Sequence, residues 1–319
     1  MKGMYETKTD WFIMVNPQAG SGKTMHVWAK AEKLLHEKGV PFTYVFTEHK
    51  CHARELAYKA AGDGYRRLLA VGGDGSVHEM FAGVLDWCSD AGAPTEDFTL
   101  GVIPIGSGND WLRSLGVPDD LDKVTDLVAS GTGLLQDVVK VTPTGKIHCY
   151  MANIGGVGFD SHVCEKVNIR KEKGRRSGLM YVKALIPTIL ELKKINVAVS
   201  GDGELWYEGP CYSVSFGNGR YSGGGLLQTG AAVIDDGLID VFIVPAAPLV
   251  KVLPELPRIF KGTTMDSKRF IYRRAREVKV VPLDEASADI IEVEGELEGH
   301  LPVTLTATGQ RIRVLSTLS

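Results

Sequence analysis

The sequence predicts two domains, an N-terminal α/β domain over residues 8–137 on a mostly parallel sheet and a β-rich, sandwich-like C-terminal domain over 138–319 with helical insertions. Three observations carry this. A length of 319 residues exceeds what one hydrophobic core usually supports. Short apolar runs alternate with helix-period segments through the first half. After about Asp137 the rhythm changes to strand-like runs separated by turn residues. The last strand or strands are free to return to the N-terminal domain.

In order, Trp11 to Val15 reads as a buried strand, Met25 to Lys38 as a helix with Trp28, Ala31 and Leu35 on one face, and Phe42 to Phe46 as a second strand. A helix around Ala53 to Ala61, a strand at Leu68 to Val71 and a helix from Ser76 follow. In the last of these Val77, Met80, Phe81, Val84 and Leu85 form an apolar stripe. Thr99 to Ile103 is a further strand. Strands alternating with helices imply a parallel arrangement with ligands at the carboxyl ends of the strands. The second half gives strands at Ile147 to Ile154, Ile195 to Ser200, Tyr212 to Phe216, Leu238 to Val244, Glu277 to Val281, Ile290 to Glu294 and Val303 to Ala307. Helices are expected near Leu179 to Lys193 and Leu249 to Phe260.

Composition narrows the function. Hydrophobic content of 44% and charged content of 24% are those of a globular protein. A net charge of -3 provides no chain-wide basic field, which argues against a nucleic-acid partner held through phosphates. The five cysteines are scattered without a CxxC pair, so buried thiols in a reducing cytoplasm are expected, not zinc or disulfides. Met1 to Asp10 lacks the apolar core of a signal peptide. The apolar run Val241 to Val250 is about half of the ~20 residues a membrane-spanning helix needs. The expectation is a cytoplasmic protein without a transmembrane segment, any membrane contact being peripheral and at the inner face. A homodimer is compatible with such a protein.

Asn16-Pro17-Gln18-Ala19-Gly20-Ser21-Gly22-Lys23-Thr24 follows a strand and opens a helix, inviting a phosphate-loop reading. That motif needs glycine where Pro17 stands, because the loop wraps backbone amides around phosphates and proline has no N–H to give. Asn16 to Gly20 remain able to touch a nucleotide from a strand-to-helix turn, and Lys23 is equally a solvated first-turn residue.

Gly72-Gly73-Asp74-Gly75-Ser76 lies directly between an apolar strand and an amphipathic helix. Glycines allow close approach of a ligand, and a helix N-terminus offers free N–H groups and partial positive charge to phosphate. Asp74 would repel a bare phosphate, so a carboxylate here makes sense with Mg²⁺ between the two. The plain alternative is a tight turn in which Asp74 or Ser76 caps the helix. Gly106-Ser107-Gly108-Asn109-Asp110 repeats the arrangement after the next strand, and two such loops at adjacent strand ends can hold one ligand.

The ordered set of Asn16-Pro17-x-x-Gly20, Gly72 to Ser76 and Gly106 to Asp110 resembles the catalytic domain of diacylglycerol and sphingosine kinases. With the β-rich second half, the chain from about Trp11 to Leu315 resembles the bacterial diacylglycerol-kinase-like lipid kinases. The GGDG run alone is shared with NAD kinases and phosphofructokinases; the trio in this order carries the likeness. The resemblance implies an ATP-dependent lipid kinase that moves the γ-phosphoryl group to the hydroxyl of a diacylglycerol-like acceptor at a membrane surface. It implies that Asn16, Pro17, Gly20, Thr47 and Gly73 to Glu79 contact ATP, with Ser107 in the same site, Asp74 acting through Mg²⁺ and Asp110 in support. Ser76 and Ser107 stand where threonine is usual and keep the hydroxyl.

In this family the acceptor's proton goes to a carboxylate on a late Asp-Gly-Glu turn. Here the turn reads Glu294-Gly295-Glu296, its first carboxylate one methylene longer, so either Glu294 or Glu296 would serve as base. Val233-Ile234-Asp235-Asp236-Gly237-Leu238 resembles the family's second metal site. Asp236 and the carbonyls of Val233 and Leu238 would bind Mg²⁺ there, a plain Asp-Gly turn being nearly as good a reading. Arg170 to Arg176, followed by the apolar-rich Leu179 to Leu192, could meet an anionic membrane, though a solvated loop before a core helix is commoner. The histidines show no metal spacing. Two other readings stay open: an NAD kinase-like phosphotransferase, and a non-catalytic nucleotide- or lipid-binding protein of the same fold.

Overall fold

The computed structural model of the chain describes residues 7–105, 108–172 and 193–318, which divide into two compact units. Unit 1 holds the N-terminal segment to Gln136 together with Gln310–Ser319; unit 2 is Asp137–Gly309.

Unit 1 alternates strands and helices: β1 (Lys8–Val15), α1 (Thr24–Glu37), β2 (Phe42–Phe46), α2 (His52–Gly62), β3 (Tyr65–Gly72), α3 (Asp74–Ala91), β4 (Thr99–Pro104), α4 (Asp110–Ser114) and α5 (Leu121–Ser130). Strand β1 pairs parallel with β2, Trp11 opposite Phe42, and with β3, Phe12 opposite Leu68. Strand β3 pairs parallel with β4, Leu68 opposite Leu100. Alternate residues of β1 face opposite sides, so Trp11, Ile13 and Val15 bury together with Trp28, Ala31 and Leu35 of α1. The i, i+3, i+7 spacing of those three helix residues puts them on one face. Leu35 is fully buried, and truncating such a side chain to alanine costs about 2–5 kcal/mol. Because the strands run parallel, the turns that follow β1, β2, β3 and β4 open at one edge of the sheet.

Unit 2 is built from antiparallel pairs. It contains β5 (Gly133–Thr144, mostly in this unit), β6 (Cys149–Met151), β7 (Ile154–Gly158), α6 (Phe159–Glu172), β8 (Ile195–Gly201), β9 (Glu204–Gly217) and β10 (Ile239–Pro245). After two helical turns, Leu249–Val252 and Leu256–Lys261, come β11 (Ile271–Ala275), β12 (Glu277–Pro282), β13 (Ile290–Val293) and β14 (Glu296–Leu315). Its core is aliphatic, with Val157, Val197, Val199, Val214, Ile239, Val241, Val278 and Ile291 all fully buried. The end of β14 belongs to unit 1, where Arg313 pairs parallel with Thr99 of β4.

Several sequence expectations change. The single strand expected over Ile147 to Ile154 is two, β6 and β7, interrupted at Ala152 and Asn153, whose amides turn to a side chain instead of a ladder. The helix expected over Leu249 to Phe260 is broken into short turns, since Pro254 and Pro257 cannot continue one hydrogen-bond ladder. Val303 to Ala307 is the middle of a 20-residue strand. Strands β5 and β11 and helices α5 and α6 had no counterpart in the sequence reading. Leu179 to Leu192 lies outside the described residues. Among the described residues no helix is long and apolar enough to cross a membrane.

Candidate functional site

Unit 1 gathers polar side chains and glycines where the strands end. Asn16 follows β1, its N–H bonded to Val71 O at 3.0 Å, and its Nδ2 donates to Ser76 Oγ at 3.1 Å. Its Oδ1 accepts from Gln18 N, which folds the Pro17 turn back on itself. Gly20 is left-handed with φ 56°, and a Cβ there would lie 2.5 Å from Ile105 Cγ2, so both conformation and packing demand glycine. The loop closes as a 3-10 turn over Ala19–Gly22, and Lys23 is exposed.

Helix α3 begins at Asp74, immediately after extended Gly73. Ser76 and Val77 both donate to Gly73 O, and Ser76 is buried. Asp74 Oδ2 accepts the main-chain N–H of Asn109 at 3.2 Å, which ties the turn after β3 to the turn after β4. A Cβ on Gly108 would lie 2.8 Å from that same oxygen. Asn109 is left-handed at φ 52°, a conformation asparagine tolerates better than most residues. Asp110 is buried, 4.0 Å from the Arg113 guanidinium. Gly106 and Ser107 lie outside the described residues. At the end of β2, Thr47 donates its N–H to Val15 O and is half-buried.

Glu79 is bound by main-chain amides. Its two oxygens accept from Cys51 N at 2.9 Å and Ala53 N at 3.1 Å. Residue 51 is left-handed and offers no side-chain cap, so α3 supplies the carboxylate that satisfies the first amides of α2.

In unit 2, Glu294 and Gly295 both have positive φ, 57° and 80°, between the paired Val293 and Glu296: the two-residue hairpin geometry that matches strand twist. Glu294 Oε1 accepts from Ala152 N at 2.8 Å and Asn153 N at 2.6 Å. Those amides are the break between β6 and β7, so the strand interruption and the carboxylate explain each other. Glu296 is half-buried beside it.

Beneath the hairpin lie two buried carboxyls. Glu292 accepts from Gly295 N at 3.0 Å, and Asp160 accepts from Ser213 Oγ, Ser215 Oγ and Gln228 Nε2 at 2.6–2.8 Å. Burial first, then the charge of Asp160, pushes the Glu292 carboxyl well above the usual carboxylate range; the Gly295 N–H pulls the other way. Burial likewise raises Asp160 against its three hydrogen bonds. The amide oxygens of Asn153 and Asn218 are buried without a donor, while Asn153 Nδ2 serves Tyr221 O and Asn218 Nδ2 serves Asp137 O and Ala152 O. Those carbonyl partners fix which end of each amide is oxygen.

Comparison with known proteins now decides the family. Residues 10–141 match the diacylglycerol kinase catalytic domain, and residues 154–316 match the YegS C-terminal NAD kinase beta sandwich-like domain, half of the chain by itself. The chain belongs to the diacylglycerol-kinase-like lipid kinase family. It is 27% identical over 307 residues to a diacylglycerol kinase of Mycobacterium tuberculosis, covering 95% of this chain and 93% of that one. A Citrobacter koseri protein named "Probable lipid kinase YegS-like" is 28% identical, covering 77% and 76%. A solved Bacillus anthracis structure described as a diacylglycerol kinase shares the fold, with a TM-score of 0.71 at 20% identity and coverage of 98% and 99%.

Within this family frame, the structure brings Asn16, Gly20, Gly72 to Ser76, Asn109 and Asp110 to one set of turns in unit 1, and sets Glu294 and Glu296 on one hairpin in unit 2. Asp236 accepts from Leu238 N at 3.0 Å and lies 3.5 Å from the Arg274 guanidinium. The same turn is docked on buried Asp137, which accepts Gly237 N at 2.6 Å. Sequence reasoning missed Asp160, Glu292, Asn153 and Asn218. Glu292 falls inside the strand expected over Ile290 to Glu294, and Asp160 opens α6, a helix the sequence reading did not contain.

Proposed function

We propose that this chain transfers the γ-phosphoryl group of Mg-ATP to the hydroxyl of a diacylglycerol-like lipid. The observation that carries the reading is the Asp74–Asn109 bond, which joins two glycine-rich turns at adjacent parallel strand ends beside a helix N-terminus. Asn16, Gly20, Thr47 and Gly72 to Ser76 would hold the nucleotide phosphates, with Gly106, Ser107, Asn109 and Asp110 on the neighbouring turn. The donor type fits magnesium: Asp74 offers a hard carboxylate oxygen, oriented by the Asn109 main chain. Bound Mg-ATP supplies the phosphoryl group and neutralises its charge. The protein's own contribution is positioning, with Asp74 fixed by Asn109 and Gly108 leaving room for its carboxylate.

We assign the base to Glu294. Its extra methylene is taken up by the left-handed turn and by the two amides that clamp one oxygen, which orients the carboxylate. Glu296, next along the hairpin, is the second candidate, and Glu79 is assigned to holding the start of α2 through Cys51 N and Ala53 N. A Mg²⁺ ion on Asp236 and the carbonyls of Val233 and Leu238 would have to share Asp236 with Arg274.

The test is transfer of labelled γ-phosphate from Mg-ATP to a total lipid extract by the native protein and by Asp74→Asn and Glu294→Gln. Labelled lipid from the native protein alone supports the reading. Labelled NAD in place of lipid, or ATP binding without any transfer, would overturn it.

A further inference from the structure

The segment after β10 leaves large apolar side chains in solvent. Val252 packs inward with Tyr212, Phe242 and Phe270, and Ile259 leans on the same cluster. Their neighbours turn away from it: Val250 is 76% exposed, Phe260 65%, Met265 54% and Leu253 46%. Single exposed apolar residues are normal, but four within sixteen positions mark an interaction surface.

Charge identifies the occupant. Over residues 249–269 five basic residues face two acidic ones, although the whole chain carries -3. One of the acids, Glu255, is occupied by Arg258 Nε at 2.7 Å and Ser267 Oγ at 2.9 Å. Lys251 and Lys261 are exposed beside the apolar side chains. A second copy docking through the same face would set like charges against each other. An anionic bilayer satisfies both chemistries at once, since apolar side chains enter the headgroup boundary while lysines reach its phosphates.

We propose that Val250, Leu253, Phe260 and Met265, flanked by Lys251 and Lys261, form a surface that seats unit 2 on an anionic lipid bilayer. The choice of occupant rests on the lipid-kinase reading above. The surface lies in a different part of the chain from the basic stretch at Arg170 to Arg176, which the described residues leave after Glu172.

The full chain is sedimented with phosphatidylcholine vesicles, with and without phosphatidylglycerol, as the native protein and as V250S/F260S and K251E/K261E. The native protein partitions onto the anionic vesicles, and each double variant lowers the partition coefficient at least about tenfold. Both variants keep phosphoryl transfer to detergent-dispersed diacylglycerol within about twofold of native, because none of the four residues belongs to the proposed machinery. Partition unchanged in both variants overturns the proposal, as does a native protein indifferent to anionic vesicles or a dimer that the variants split on gel filtration. If no lipid is phosphorylated in any form while partition falls as stated, the kinase reading fails and the docking surface stands.

Discussion

The main-chain N–H of Asn109 lies 3.2 Å from Asp74 Oδ2 and donates to it, so the carboxylate at the start of α3 is oriented by the turn after β4. The two residues are 35 positions apart, and the contact exists only because β3 and β4 are neighbours in register.

Asp74→Asn keeps the side-chain shape and an acceptor for Asn109 but removes the charge. Phosphoryl transfer falls by about 10²–10³-fold with Tm nearly unchanged. Gly108→Ala drives a methyl group against Asp74 Oδ2 and lowers transfer at least about tenfold while ATP affinity changes less. Steady-state kinetics beside calorimetric binding separates the two effects, and an active Asp74→Asn enzyme refutes the assignment.

Glu294→Ala strands the amides of Ala152 and Asn153 and costs about 1–3 kcal/mol in urea unfolding, over and above the lost rate. Glu294→Gln keeps an acceptor for both amides, so it loses rate with a smaller stability change. Equal stability loss in both variants would count against the clamp.

Glu292 and Asp160 both have carboxyls raised in the folded protein. A raised pKa means that folding favours the protonated form, so their contribution is fully present below the unfolded carboxylate value of about 4 and is lost as pH rises through the folded value. Glu292→Gln still accepts from Gly295 N and carries no charge. It should flatten the fall in Tm as pH rises above the unfolded carboxylate value of about 4 and exceed the native protein at the upper end. A parallel pH profile in the variant would sink this account.

Asp240 is fully buried, held by Tyr272 OH at 2.7 Å and Arg274 Nε at 3.0 Å. Arg274→Ala removes the guanidinium beside it and should cost about 3–5 kcal/mol by chemical denaturation, because it leaves a buried carboxylate uncompensated. A loss below about 1 kcal/mol would show that Asp240 is neutral in the folded state.

Of the five cysteines only Cys51 is exposed, and burial pushes the thiols of Cys88, Cys149 and Cys211 up to about 12. Titration with a chromogenic disulfide should therefore show one fast thiol in the native protein, lost in Cys51→Ser. Two or more fast thiols would contradict the burial.

How much of this was legible in the sequence depends on the range of the contacts. The alternation of apolar runs and amphipathic helices placed β1 to β4 and α1 to α3 within a few residues, because each is specified by its own side-chain period. The glycine-rich turns were legible because sharp, closely packed backbone demands glycine locally: a Cβ at Gly20, Gly72 or Gly108 would meet Ile105, Ser76 or Asp74. Glu79 was not: its partners, Cys51 and Ala53, sit 28 and 26 residues away on another helix. Nor was the break at Ala152, whose cause is a carboxylate 142 residues later. The burial of Asp160 and Glu292 was not legible either, since their hydroxyl, amide and main-chain partners Ser213, Ser215, Gln228 and Gly295 come together only in the fold. Gly106 and Ser107 were legible as a turn and lie outside the described residues.

Strand β14 carries one further consequence. Its residues 310–315 complete the N-terminal unit, pairing with β4 and burying Leu315 in that unit's core. On the ribosome, the first 136 residues emerge early yet cannot close their sheet until position 315 has been made, so the N-terminal unit waits for the whole of the second unit to be synthesised. Chaperones would then meet the open edge of β4 in every nascent chain, and a fragment ending near Gln136 would be a substrate for proteolysis, not a minimal domain.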